Sequence, residues 1–156
     1  MTSPELLIWN LGEVRRRSLK IWNAIPADRL DWKPDADAMT CIAMVRHVLE
    51  GEYLYLSMLK TGGSLASDAS PFSSRPYTTV PSEVQFAQPY RAELLAYVRC
   101  LSDSDLNTMT VNRPDKGYVR TAGDFILRMA YHESVHAGQL MGYLRMLGAI
   151  RPNIWD

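Results

Sequence analysis

The segment "TAGDFILRMAYHESVHAGQLMGYLRMLG", residues 121–148, constrains the fold more than any other part of the chain. Phe125, Met129, His132, His136, Leu140, Tyr143 and Leu147 recur at spacings of three and four, one face of an α-helix. A helix from about Thr121 to Leu147, stopped by Gly148, is long enough to cross a small domain. Its apolar stripe must be covered by other helices. Two imidazoles interrupt that stripe. Positions i and i+4 are neighbours on a helix, so His132 and His136 aim at one point. Unpartnered buried polar groups cost about 1–3 kcal/mol each. The pair therefore needs either hydrogen-bond partners in a core or a shared metal ion.

Three further helices precede it. The first opens with Ser3 as cap, Pro4 and Glu5, and runs to about Ala24. It presents Leu7, Leu11, Val14, Ser18, Ile21 and Trp22 on one face, with arginines on the other. The second runs from about Thr40 to Lys60 and ends at Gly62-Gly63; the third runs from Pro81-Ser82-Glu83 to about Leu101. The Ser-, Pro- and Gly-rich "GGSLASDASPFSSRPYTTVP" between them is a long irregular connection, either lid or slack. "LNTMTVNRPDKGYVRTAG" carries β-forming residues around a turn at Pro114 to Gly117, the pattern of a short hairpin before the last helix. Four long helices in 156 residues imply one all-α domain over 1–156, an antiparallel four-helix bundle with long connections.

Charge and composition exclude several classes. Seventeen basic residues balance seventeen acidic ones, so nothing global favours nucleic acid or an anionic membrane. The Arg15-Arg16-Arg17 run reads as a solvated helix face. No apolar run reaches the length of a membrane span, and "MTSPELLIWN" lacks a basic segment followed by an apolar core, so a cytoplasmic location is expected. Cys41 and Cys100 form no paired motif and read as reduced, mostly buried thiols. Cys41, six residues from His47, lies off that residue's face, and both cysteines stay outside the expected site.

The chain has only three histidines, and the third, His47, lies midway along the second helix. Bundles build metal sites from inward-pointing side chains on facing helices. Three neutral imidazoles from two helices would give the open, three-ligand arrangement of a catalytic zinc-type site. Gly51, one turn beyond His47, removes bulk for a ligand or a close helix. His132-Glu133-x-x-His136 matches the zinc-peptidase string, but the positions where one class needs glycine and a third histidine hold Gln139 and Gly142. The other class needs a downstream glutamate, and the sole later carboxylate side chain is Asp156. A peptidase is not expected.

"AIPADRLDWKPDADAMTCIAMVRHVLEGEYLY" and the 121–148 segment together make the chain resemble the DinB-like (DinB/YfiT) superfamily of metal-dependent four-helix bundles. Such proteins carry a W-x-P loop, a helix with one metal-binding histidine, and an H-x-x-x-H pair followed by a glutamine and an "LR-x-x-G" helix end. The resemblance covers nearly the whole chain apart from the region around 62–80. It implies His47, His132 and His136 as a metal triad. It further implies a long crossover, a homodimer, and a divalent metal, zinc or nickel before iron or manganese. Characterised relatives include thiol-dependent enzymes, so a low-molecular-weight thiol is implied as co-substrate.

On that basis the expected function is that of a divalent-metal-binding protein acting as a thiol S-transferase or hydrolase. The alternative is a non-catalytic metal-binding or stress-response bundle. Glu133, about 100° round from His132, is either a base or acceptor at the rim or a helix charge paired with a neighbour. Gln139 falls one turn beyond His136 and either orients a histidine or bound ligand or makes a helix–helix contact. Glu50, one turn from His47, is a weaker candidate. Tyr53, Tyr55, Tyr131 and Tyr143 offer hydroxyls, although aromatic residues at helical spacing are more often core, and Trp32 is expected to anchor its loop. Arg113, Lys116 and Arg120 are read as surface cations, with attraction of an anionic substrate as the second reading.

Overall fold

The computed structural model describes residues 1–67 and 69–156. Helices α1 (Ser3–Asn23), α2 (Cys41–Thr61) and α3 (Val80–Arg99) are followed by a short α4 (Asp103–Thr108). Strands β1 (Thr110–Arg113) and β2 (Tyr118–Thr121) then lead into α5 (Ala122–Met146). The four long helices form the bundle, with α1 packed on α5 and α3, and α2 on α3 and α5. Among the described residues no helix is long and apolar enough to cross a membrane.

The helix ends follow local chemistry. Thr40 caps α2 by accepting from the Ala43 amide at 3.2 Å, and Gly62 closes it at φ +73°, a left-handed conformation suited to glycine. Thr121 caps α5. At α1 the cap is Thr2, one residue before the expected Ser3, because Glu5 stands three residues after Thr2. The Thr2 amide donates to the Glu5 carboxylate at 2.7 Å, and the Glu5 amide donates to the Thr2 hydroxyl. The expected hairpin is present: Thr110 pairs with Thr121 and Arg113 with Tyr118, around a turn closed by Gly117 at φ +71°. Helix α4 lies outside the expected elements. Ser102 and Asp105 cap it reciprocally, and Leu106 is its buried anchor.

Two separate apolar clusters fix the helix directions. One gathers Ile21, Trp22, Met44, Val45, Val80, Ala87, Leu140 and Leu144. The other gathers Leu7, Leu11, Leu56, Leu59, Leu94, Val98, Phe125 and Ile126. Each long helix thus contributes one end to each cluster. α1 and α5 run one way, α2 and α3 the other, so α1–α3 and α2–α5 are antiparallel pairs. The like-directed pair α2 and α3 obliges the intervening connection to climb the length of the bundle. It starts where Gly63 bridges to Asn112 of the hairpin, and it reaches the opposite end at the buried Phe72. Arg46 donates to the carbonyls of Arg75 and Pro76, and Ser70 donates to Glu50. Trp32 anchors the α1–α2 loop as expected, meeting the Tyr143 ring edge-on at 5.4 Å.

Between the two clusters lies a layer of buried charge. Arg15 is buried inside the bundle and is not on a solvated face, which corrects the expectation for the arginine run. It donates through Nε and Nη2 to Glu133 at 2.8 and 3.0 Å and lies 3.2 Å from Glu52. Arg91 of α3 pairs with Glu52 and donates to the Leu11 carbonyl at 2.9 Å. Two cations and two anions from four helices neutralise one another. A buried ion pair adds little over apolar packing, but removing one partner strands a charge at a cost of about 3–5 kcal/mol. Glu133→Ala should therefore lower the unfolding free energy by about that amount in urea titrations. A loss below about 1 kcal/mol, the scale of an exposed pair, would mean that water reaches this layer.

Candidate metal centre

The bundle geometry brings the three histidines together. His47 projects from the middle of α2, His132 and His136 from the facing turns of α5. His132 Nε2 lies 2.9 Å from His47 Nε2 and 3.1 Å from His136 Nε2. One nitrogen from each ring lies within 4.8 Å of the others. The ring centroids are 4.6–4.9 Å apart, each pair meeting edge to face. His47 is exposed and the other two half-buried, so the cluster opens at the surface of the α2–α5 seam.

Three neighbours shape it. A Cβ built on Gly51 would stand 3.3 Å from His132 Cε1. The space that this glycine leaves is therefore filled by the His132 imidazole, which lies over the α2 backbone. Gln139 Oε1 stands 2.7 Å from His136 Nδ1. An amide oxygen there selects the tautomer protonated at Nδ1 and leaves the Nε2 lone pair turned toward the other rings. Tyr55 packs on Phe125 and lies 5.9 Å from the His132 ring.

Burial lowers the pKa of His132 to about 4, with the neighbouring His136 and His47 adding to the effect. Burial lowers His47 as well. Both rings are consequently neutral donors at neutral pH. Three imidazoles with converging nitrogens, one oriented through its far nitrogen, fit a divalent ion of intermediate softness.

Other residues singled out by the sequence lie elsewhere. Glu133 is turned into the bundle, with both carboxylate oxygens engaged by Arg15. Of its two readings the structure shows the paired charge. The 100° offset from His132 points it at α1 instead of at the rim. Glu50 accepts from Ser70 and holds the long connection. Cys41 is fully buried, and burial raises its thiol to about 11, while Cys100, expected to be buried, is exposed because it caps the end of α3. Tyr143 donates to the Met39 carbonyl at 3.2 Å, Tyr53 meets the Tyr90 ring edge-on, and Tyr131 is exposed. Arg113 and Arg120 are paired with Asp115 and Asp124. Arg128, not picked out beforehand, stands one turn before His132; that spacing was its available signal.

An α2–α5 seam with histidines from both helices defines a class, and the sequence match agrees with it. Residues 10–140 match the model of the DinB superfamily, and the chain belongs to that family. Among its relatives is YjoA of Bacillus subtilis strain 168, 26% identical over 125 residues, 80% of this chain and 77% of that protein. The crystal structure of that DinB-like protein superposes with a TM-score of 0.71 at 22% identity, over 96% of each chain. A DinB-like protein from Bacillus cereus gives 0.67 at 15% identity, covering 92% of this chain and 91% of that one. These structural likenesses carry the fold, so the chemistry has to be argued from this chain's own residues.

The lowered His132 pKa has a definite sign. Its unfolded value is the ordinary 6.5, so between 6.5 and about 4 the unfolded chain binds the proton and the folded one does not. The part of the metal-free protein's unfolding free energy that comes from His132 should fall as pH drops through that window and level off near its lower end. His132→Asn should flatten the slope. Identical urea midpoints against pH for parent and variant would contradict the assignment.

Proposed function

We propose that His47, His132 and His136 hold a divalent metal ion, zinc or nickel before iron or manganese, in a thiol S-transferase or hydrolase. The supporting observation is the convergence of three imidazole nitrogens at a solvent-facing seam. A bound divalent ion supplies Lewis acidity there, lowering the pKa of a thiol or water at its remaining position. The protein's share is to hold the donors. Gly51 admits the His132 ring, Gln139 fixes the tautomer and plane of His136, and the exposed side of His47 leaves an approach from solvent. No carboxylate among the described residues completes the set, which favours an open site over a closed, purely structural one.

Metal analysis tests this directly. Protein reconstituted with zinc or nickel should retain near-stoichiometric metal, and His132→Ala should lose it while keeping its helical circular dichroism. Parent protein that holds no metal after reconstitution with any of the four ions would sink the proposal. Gln139→Leu should weaken affinity by about 10–100-fold, the usual scale for a residue orienting a ligand. Chelator competition reads that change. Unchanged affinity would mean that the Gln139 contact is incidental.

A further inference from the structure

Arg128 projects from α5 one helical turn before His132, at the edge of the histidine cluster nearest the hairpin. Its guanidinium lies over the Tyr118 ring of β2, 5.2 Å from the centroid. Its charge bears on the Tyr55 hydroxyl, and the Tyr55 ring lies 5.9 Å from the His132 ring. Most cations around it are spoken for. Arg113 is held by Asp115 and Arg120 by Asp124. Arg128 meets no carboxylate among the described residues, and its Nε is enclosed with no hydrogen-bond partner. Arg75 and Arg120 also enclose an unbonded guanidinium nitrogen, but those side chains are paired with Glu83 and Asp124.

A half-buried guanidinium held on an aromatic ring has already lost much of its conformational freedom. It is therefore prepared to take a carboxylate or phosphate in a forked pair. We infer that Arg128, together with the Tyr55 hydroxyl, binds an anionic group of the molecule that enters beside His47, His132 and His136, which makes the preferred co-substrate a carboxylate-bearing thiol. The inference rests on the reading of the cluster as a thiol-using metal centre. Arg128 and His132 are about 6 Å apart along the helix axis, which suits a carboxylate a few bonds from the sulfur. A neutral thiol leaves the cation unpaired, and an aminothiol is repelled by it.

The test uses cobalt-loaded full-length protein, titrated with 3-mercaptopropionate, 2-mercaptoethanol and cysteamine while sulfur-to-cobalt absorption is followed. The parent should bind 3-mercaptopropionate about ten-fold more tightly than 2-mercaptoethanol, the scale of one charge-assisted pair, with cysteamine weakest. Arg128→Gln should bring the ratio of the first two to within about two-fold, and Arg128→Lys should retain part of it. Comparing ratios between parent and variant cancels the thiols' own acidities. Tyr55→Phe, which keeps the ring on Phe125, should lower the same ratio and serves if the Arg128 variants misfold. The same ratio in parent and in both Arg128→Gln and Tyr55→Phe would reduce Arg128 to a stack on Tyr118, with the thiol reading intact. No absorption change with any thiol on fully loaded protein would remove the thiol reading, and this inference with it.

Discussion

Arg15 is the side chain on which the arrangement of the bundle turns. Its guanidinium faces Glu133 on α5 and Glu52 on α2, and Arg91 brings α3 to the same place. A charge inside a protein has few acceptable surroundings, so the four helices can meet in few registers without stranding one. Sliding α5 by one turn along α1 would carry Glu133 about 5.4 Å from Arg15. The same slide would carry His132 and His136 away from His47 by an equal distance. The ion network and the histidine cluster are thus two readouts of one register. Adjacent residues, His132 and Glu133, link them: one faces α2 and the seam, the other faces α1 and the interior.

Much of this was legible in the residues. The helix ends announced themselves through Thr40, Gly62, Thr121 and Gly148, and the hairpin through Pro114 and Gly117. With only three histidines in the chain, two at i and i+4 on an apolar stripe, the choice of candidate ligands was narrow. The partner of Glu133 was harder to see, because Arg15 lies 118 positions away inside a run of three arginines. A signal was nevertheless present. Arg15 stands four residues after Leu11 and three before Ser18, within the buried stripe of α1. Glu52 falls four residues from both Val48 and Leu56, and Glu133 four from Met129. Charges of opposite sign embedded midway in apolar stripes must find one another, and periodicity restricted to apolar residues passes over them. Helix α4 escaped for another reason: six residues give too short a period to register.

The long connection between α2 and α3 illustrates what sequence composition leaves open. Its serines, prolines and glycines are those of a mobile segment, yet it is fastened at intervals along its climb. Gly63 joins the hairpin, Glu50 holds Ser70, Phe72 is fully buried, and Arg46 takes two successive carbonyls while pairing with Glu83. These fastenings come from residues of α2, α3 and the hairpin, and local composition carries no trace of them. A segment tied at this many points is a strap across the bundle.

The polar layer at mid-height also divides the interior into two rooms. Trp22 and Leu144 belong to one apolar cluster, Phe125 and Leu94 to the other, with the four charges between them. Packing disturbances travel through apolar contact, and residues without shared partners act nearly independently on stability. Each room can accordingly be refurnished on its own. Paired changes in size within one cluster would compensate each other, whereas changes split between the two would simply sum. The interior of this bundle can therefore drift in two separate halves while the charged floor between them, and the histidines at its edge, stay in place.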